Sequence, residues 1–363
     1  MIKKVIAFIM VALFFCVSFT GCGQEINNQT SDNYENNETK IKKDMKNEKY
    51  KNLQNGDTIY FGEYPQSLVD DDIIISELDK LIKQDKWSNM NHYSVRCDNE
   101  GNFTYGKSDN WLYQDLEYDN CRYRALAMKN GYAFGTESRN SFSDTTKYLE
   151  EPYYFKYEPI SWKILDKEKG VVLCNQIIDS HEYYSDVELQ YHTSPYGYFE
   201  QNGFFCKDST LTAYTGEYAS SDLREWLNGS FYDTAFSSNE RKAIVETTLT
   251  YKQIEKNEFQ SKETVDKVYI LSDEDLRNNE QYGFNPSERS DTKDYNRVFN
   301  ATDYSAKVSG RNYTNETPYW TRTADIRQTM VINNVGCLCN GTCSYMLEGV
   351  LPALTLDLKK AIK

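Results

Sequence analysis

The sequence predicts an α+β domain with few helices and a loop-heavy middle. Three observations carry that expectation. Short segments place apolar residues at helical spacing behind capping residues, and other short segments alternate apolar with polar residues. A long interval rich in Tyr, Asn, Asp and Gly shows neither period. No internal repeat is visible in the 363 residues.

The elements follow in chain order. One domain is expected over residues 56–360, opening at Gly56 with GDTIYFGEYPQSL, a strand ended by a Pro turn. Residues 71–84 place Ile74, Ile75, Leu78, Leu81 and Ile82 at helical spacing. The interval 87–154 reads as loop-rich with short strands, including Leu116 to Leu126. In EPISWKIL, Ile160, Trp162 and Ile164 alternate on one face, and VVLCNQIID is the expected hairpin partner across Lys169-Gly170. Ser221 or Asp222 caps a helix burying Leu223, Trp226 and Leu227, and Ser237 with Glu240 forms an S-x-x-E start for a second. KVYILS is a strand leading into a short helix capped by Ser272. The C-terminal part reads as the strands YWTRT, MVINNVG and VLPALTLDL.

The first residues argue for export. Lys3 and Lys4 precede an apolar run, Val5 to Phe19, of 15 residues. That is shorter than the roughly 20 needed to span a bilayer as a helix. Phe19-Thr20-Gly21-Cys22 then resembles a bacterial lipobox, which implies a signal peptide over 1–21, lipidation of Cys22 and an extracytoplasmic, lipid-anchored protein. Residues 22–55 are polar and aperiodic and read as a disordered tether.

Charge and cysteine content narrow the partners. The net charge is −14, and loss of Lys3 and Lys4 makes it −16. An acidic surface of this kind argues against nucleic acid as a partner. The 30 tyrosines exceed what a core needs and offer amphipathic contact surface. Without Cys16 and the lipidated Cys22, seven cysteines remain, an odd number. Asn340-Gly341 is a hairpin-turn signal, and a turn there would set Cys339 opposite Cys343, where a disulfide is possible.

Catalytic and cofactor signatures are weak. GNFTYGKS at 101–108 satisfies the letter of a P-loop, but neither the preceding strand nor the following helix that phosphate binding needs is expected. His92, His181 and His192 lack metal spacing, and packing or surface roles are expected for them. Asp70-Asp71-Asp72 and Asp273-Glu274-Asp275 supply oxygen ligands suited to calcium, but read more simply as helix starts. No catalytic residue, metal site or cofactor is assigned.

Several segments resemble a family of exported proteins of low-GC Gram-positive bacteria, known only as a domain of unknown function. The landmarks are FGEYPQS, YRAL, YYFKYEPISWKILD, VVLCNQIIDS, YASSDLREWLNGSFYDTAFSSNERKAI, KVYILS, the YW-x-R-T segment at 319–323 and GVLPALTL. Leu351 stands where the family has arginine, and Trp320-Thr-Arg322-Thr-Ala lacks the family's proline. The ending is similar to C-type-lectin-like domains, including formylglycine-generating enzymes. That resemblance implies paired terminal strands and a long binding loop region. The expected function is a non-catalytic binding module for glycan, peptide or envelope protein. A thiol-dependent oxidoreductase and a structural lipoprotein are the alternatives.

Overall fold

The computed structural model describes residues 48–90, 93–97, 103–107, 111–128, 152–183, 189–191, 204–206, 218–255, 258–286, 295–309, 314–324, 329–342 and 347–362. Its first strands are β1 (Thr58–Leu68), β2 (Ser88–Asn89), β3 (Tyr93–Cys97), β4 (Phe103–Lys107), β5 (Trp111–Tyr118), β6 (Cys121–Met128), β7 (Tyr153–Asp166), β8 (Val171–Cys174) and β9 (Asp179–His181). There follow β10 (Leu189–Tyr191), β11 (Phe204–Cys206), β12 (Thr247–Glu255), β13 (Glu258–Asp266), β14 (Val268–Ile270), β15 (Tyr319–Ala324), β16 (Thr329–Ile332), β17 (Leu338–Thr342), β18 (Glu348–Val350) and β19 (Pro352–Thr355). The fold is mixed α+β, mostly strand, with short helices and open sheets.

An eight-stranded sheet runs β14-β19-β8-β7-β6-β5-β2, with β1 added on β7; a five-stranded sheet runs β17-β16-β15-β18-β9. The organising strand is β7. Lys156 pairs with both Ser67 of β1 and Tyr123 of β6, and Trp162 pairs with both Ile59 of β1 and Cys174 of β8. A residue has only two edges, so β1 occupies one side of β7 while β6 and β8 share the other. Ile160, Trp162 and Ile164 are fully buried, as the alternation in EPISWKIL predicts. Gly170 turns the chain into β8 with φ 74°, and a Cβ there would collide with the Leu356 carbonyl oxygen.

Four expectations need correction. First, the terminal strands share a sheet but are not paired, because β7 and β8 lie between β1 and β19. Second, the strand expected over Leu116 to Leu126 is broken by a turn, with β5 and β6 forming a regular hairpin. Its turn, Asp119-Asn120, has positive φ (48° and 58°), the geometry that matches strand twist in two-residue hairpins and that Asp and Asn tolerate. Third, the Ser237–Glu240 box forms, with the Ser237 N–H and hydroxyl both donating to Glu240, but it caps only the 3-10 turn Glu240–Ala243. The chain is then drawn to the sheet: Val245 N–H donates to the Thr355 carbonyl, and Ile244 bridges Leu356. Fourth, Asn340-Gly341 lies inside β17, not in a turn. The β16–β17 hairpin turns earlier, where Asn333 Oδ1 accepts from the Val335 and Cys337 amides and Gly336 has φ 83°.

Helix α1 (Asp72–Leu81) is capped by Asp71, which accepts from the Ile73 and Ile74 amides. Its Leu78 packs with Leu116, Tyr123, Ala125 and Tyr154 on the β5–β6 side of the sheet. Helix α2 (Asp222–Trp226) is capped by Ser221 and continues as a π-helical turn, Leu227–Phe231. Leu223, Leu227 and Phe231 enter the main core, whereas Trp226 is only partly buried against it. Residues 48–52 are helical, and Tyr50 and Leu53 pack on the same core, so ordered contacts begin before Gly56.

Candidate functional site

An open groove of about 890 Å³ lies beside β1. Thr58 to Glu63 form one wall and Asp233 to Ser238 the other, with Ala361 and Ile362 at one end. Gly62 sets the floor. Its φ is 74°, and a Cβ would lie 2.6 Å from the Phe236 ring and 2.7 Å from the Ala235 carbonyl oxygen. Only glycine lets β1 approach the far wall this closely. Phe61 continues the contact with its ring 5.4 Å from Phe236.

Tyr60 projects its side chain with 67% of its surface exposed, while the neighbouring Phe61 is buried. Two ion pairs flank the groove. Arg122 donates to Glu63 at 3.4 Å and stacks 4.0 Å over the Tyr157 ring, and Arg241 pairs with Asp233 at 2.9 Å and stacks over Tyr232. Lys49 and Glu240 complete a lining of three basic and three acidic side chains. Locally matched charge on a strongly acidic chain makes this surface electrostatically neutral.

Behind the groove lies a buried ionic cluster. Arg124 donates from Nε and Nη2 to the two oxygens of Asp115, at 2.8 and 3.0 Å. Its third bond runs from Nη1 to the Tyr304 hydroxyl at 3.3 Å, and its guanidinium faces the rings of Tyr113, Tyr64, Tyr157 and Tyr304. Burial alone would raise the Asp115 pKa, but bonding to and the charge of Arg124 outweigh it and hold that pKa below the ordinary carboxylate value. Tyr64 donates to Asp179 at 2.6 Å, and burial, then the Asp179 charge, raise its pKa far above the ordinary value. These groups are satisfied internally and serve the fold.

The acidic candidates are also occupied by the fold. Asp275 and Ser272 cap each other's backbone amides, Asp273 accepts from Thr323, and Asp275 takes a 2.7 Å ion pair from the buried Arg322. Arg322 also donates to the Ile270 and Thr250 carbonyls, which gives the arginine of the YW-x-R-T segment a structural task. His181 is buried on β9, with Nδ1 2.7 Å from the Glu182 carbonyl and its ring 4.9 Å from Trp226, a packing role. Among the described residues no group of three His, Cys, Asp or Glu could hold a metal ion. The P-loop look-alike runs through β4, an extended hairpin strand paired with β3, so Phe103–Lys107 cannot wrap a phosphate.

Cys22, His92, His192 and Cys343 lie outside the described residues. Cys339 is on β17 opposite Val331. Cys174 is buried, and burial pushes its thiol up to about 12, the reverse of what a nucleophilic cysteine needs. Sequence reasoning missed the groove because its walls lie at least 170 positions apart and meet through Phe61 and Gly62; the FGEYPQS landmark containing that glycine was the available signal. It also missed Arg124, whose partner Tyr304 lies 180 residues away.

The comparison with curated proteins yields no match, and neither does that with solved structures. A family model described as a domain of unknown function (DUF6273) matches residues 202–358, a stretch that holds α2, the 233–238 wall of the groove and the Arg322 cluster.

Proposed function

We propose that this chain is an extracytoplasmic lipoprotein, anchored through Cys22, whose folded part is a non-catalytic binding module using the groove beside β1. The supporting observation is Tyr60, a largely exposed ring at the rim of a neutral, open groove bounded by the Arg122–Glu63 and Arg241–Asp233 pairs. An open groove with an exposed aromatic side chain at its rim and paired hydrogen-bonding groups suits an extended polar polymer of the cell envelope, glycan or peptide. An enclosed small-molecule site would bury its ligand far more completely.

The test has two arms. Cys22→Ala is expected to leave the membrane fraction or to remain unprocessed, and normal maturation with full membrane retention would contradict the anchor. A glycan array and a random decapeptide library are screened with the wild type, Tyr60→Ala and Arg122→Ala. Binding in either collection that both variants weaken without loss of folding supports the groove. Binding that neither variant alters would place the ligand elsewhere.

A further inference from the structure

We infer that the free edge of β1 takes an extended peptide as an added strand. This rests on the groove being the ligand site and names the ligand's chemistry. The Asn175 amide donates to the Ser161 carbonyl, so Ser161 of β7 faces β8. On the opposite side, the Gly56 amide donates to Ile164 O, and Ile164 N–H to Asp57 O, so Ile164 faces β1. Alternation along β7 then turns Trp162 toward β1, where Ile59 is its partner, and turns Lys163 and Ser161 away from β1. Thr58 and Tyr60 sit opposite Lys163 and Ser161. Their N–H and C=O groups therefore point away from β7, into the groove.

Among the described residues β1 pairs only with β7, so these four backbone groups have no ladder partner. They alternate donor and acceptor at the two-residue spacing of a strand, about 6.7 Å, which is the complement of another peptide backbone. The ladder is interrupted beyond Tyr60 by the irregularity between Tyr60 and Glu63, which limits the regular edge to about three residues. The ion pairs on both walls are already matched, so the groove selects for an extended backbone and not for net charge on the peptide. Strand addition to an exposed edge is a general mode of peptide recognition in which main-chain bonds supply affinity.

The experiment uses the full chain and decapeptides selected from a random library. Each selected peptide is resynthesised with N-methyl groups on one alternate set of amides, then on the other. One set is expected to lose tenfold or more in affinity and the other to bind unchanged, because only every second amide faces the edge. Tyr60→Pro removes an outward N–H without breaking a bond to β7, and is expected to weaken binding by a similar factor with an unchanged melting temperature. Should that variant fold poorly, the N-methyl series on the wild type still decides. Failure to select any peptide, or equal tolerance of both methylation sets, overturns the inference. Binding of a neutral oligosaccharide that is lost in Tyr60→Ala would overturn strand addition while leaving the groove as the ligand site.

Discussion

Arg122 and Arg124 leave β6 two residues apart, on the same face, and both reach Asp115 and the Tyr157 ring. They differ in burial: the Arg122 side chain is 34% exposed and that of Arg124 only 6%. Arg122 bonds at 3.3 Å to Asp115 and at 3.4 Å to Glu63 of the groove lining. Arg124 makes a two-pronged contact with one carboxylate inside a wall of tyrosines. The same side chain on the same carboxylate thus stays open to solvent in one position and holds the fold in the other. Solvent decides between them, because a charge in water loses little when its partner leaves, and a buried one loses a great deal.

The largest effect expected from this contrast is on stability. Arg124→Ala removes a buried ion-pair partner and opens a cavity, and is expected to cost about 3–5 kcal/mol in denaturant unfolding. Arg122→Ala is expected to stay within about 1 kcal/mol of the wild type. Equal losses would erase the distinction. Next in size is an alkaline effect at Tyr64, which touches the Arg124 cluster. Its pKa is raised in the fold by burial and by Asp179, so its stabilisation is complete below the ordinary tyrosine pKa of 10.0 and is lost as pH climbs from there toward the folded value. Each such tyrosine contributes a slope that rises through that range toward about 1.4 kcal/mol per pH unit. Tyr64→Phe is expected to make the decline between pH 10 and 11 shallower by about 1 kcal/mol. An unchanged slope would mean that Tyr64 ionises in the folded protein as it does in the unfolded one.

Local patterning made part of this legible. Period-two alternation located Ile160, Trp162 and Ile164, and capping chemistry located Asp71, Ser221 and Ser272, because each depends on neighbours within a few residues. The Asp119-Asn120 hairpin carried a turn signal that the surrounding Tyr-rich composition obscured. Asn340-Gly341 carried an equally good signal that tertiary pairing overrode: Asn333 and Gly336 had already turned the chain, and β17 pairs through the Asn-Gly pair. The groove and the Arg124 cluster were illegible for a different reason. Gly62 against Phe236, Arg124 against Tyr304 and Tyr64 against Asp179 are contacts between distant segments, and no local pattern encodes them.

Among the described residues β1 has one paired and one open edge, and backbone amide exchange in the unliganded chain measures this residue by residue. The Ile59 amide, bonded to β7, is expected to exchange slowly with the core. Thr58 and Tyr60 on either side of it are expected to exchange orders of magnitude faster, since among the described residues their N–H groups have no ladder partner. Uniform slow exchange across Thr58, Ile59 and Tyr60 would mean that the edge is already covered, and would contradict both the groove and the strand it is inferred to accept.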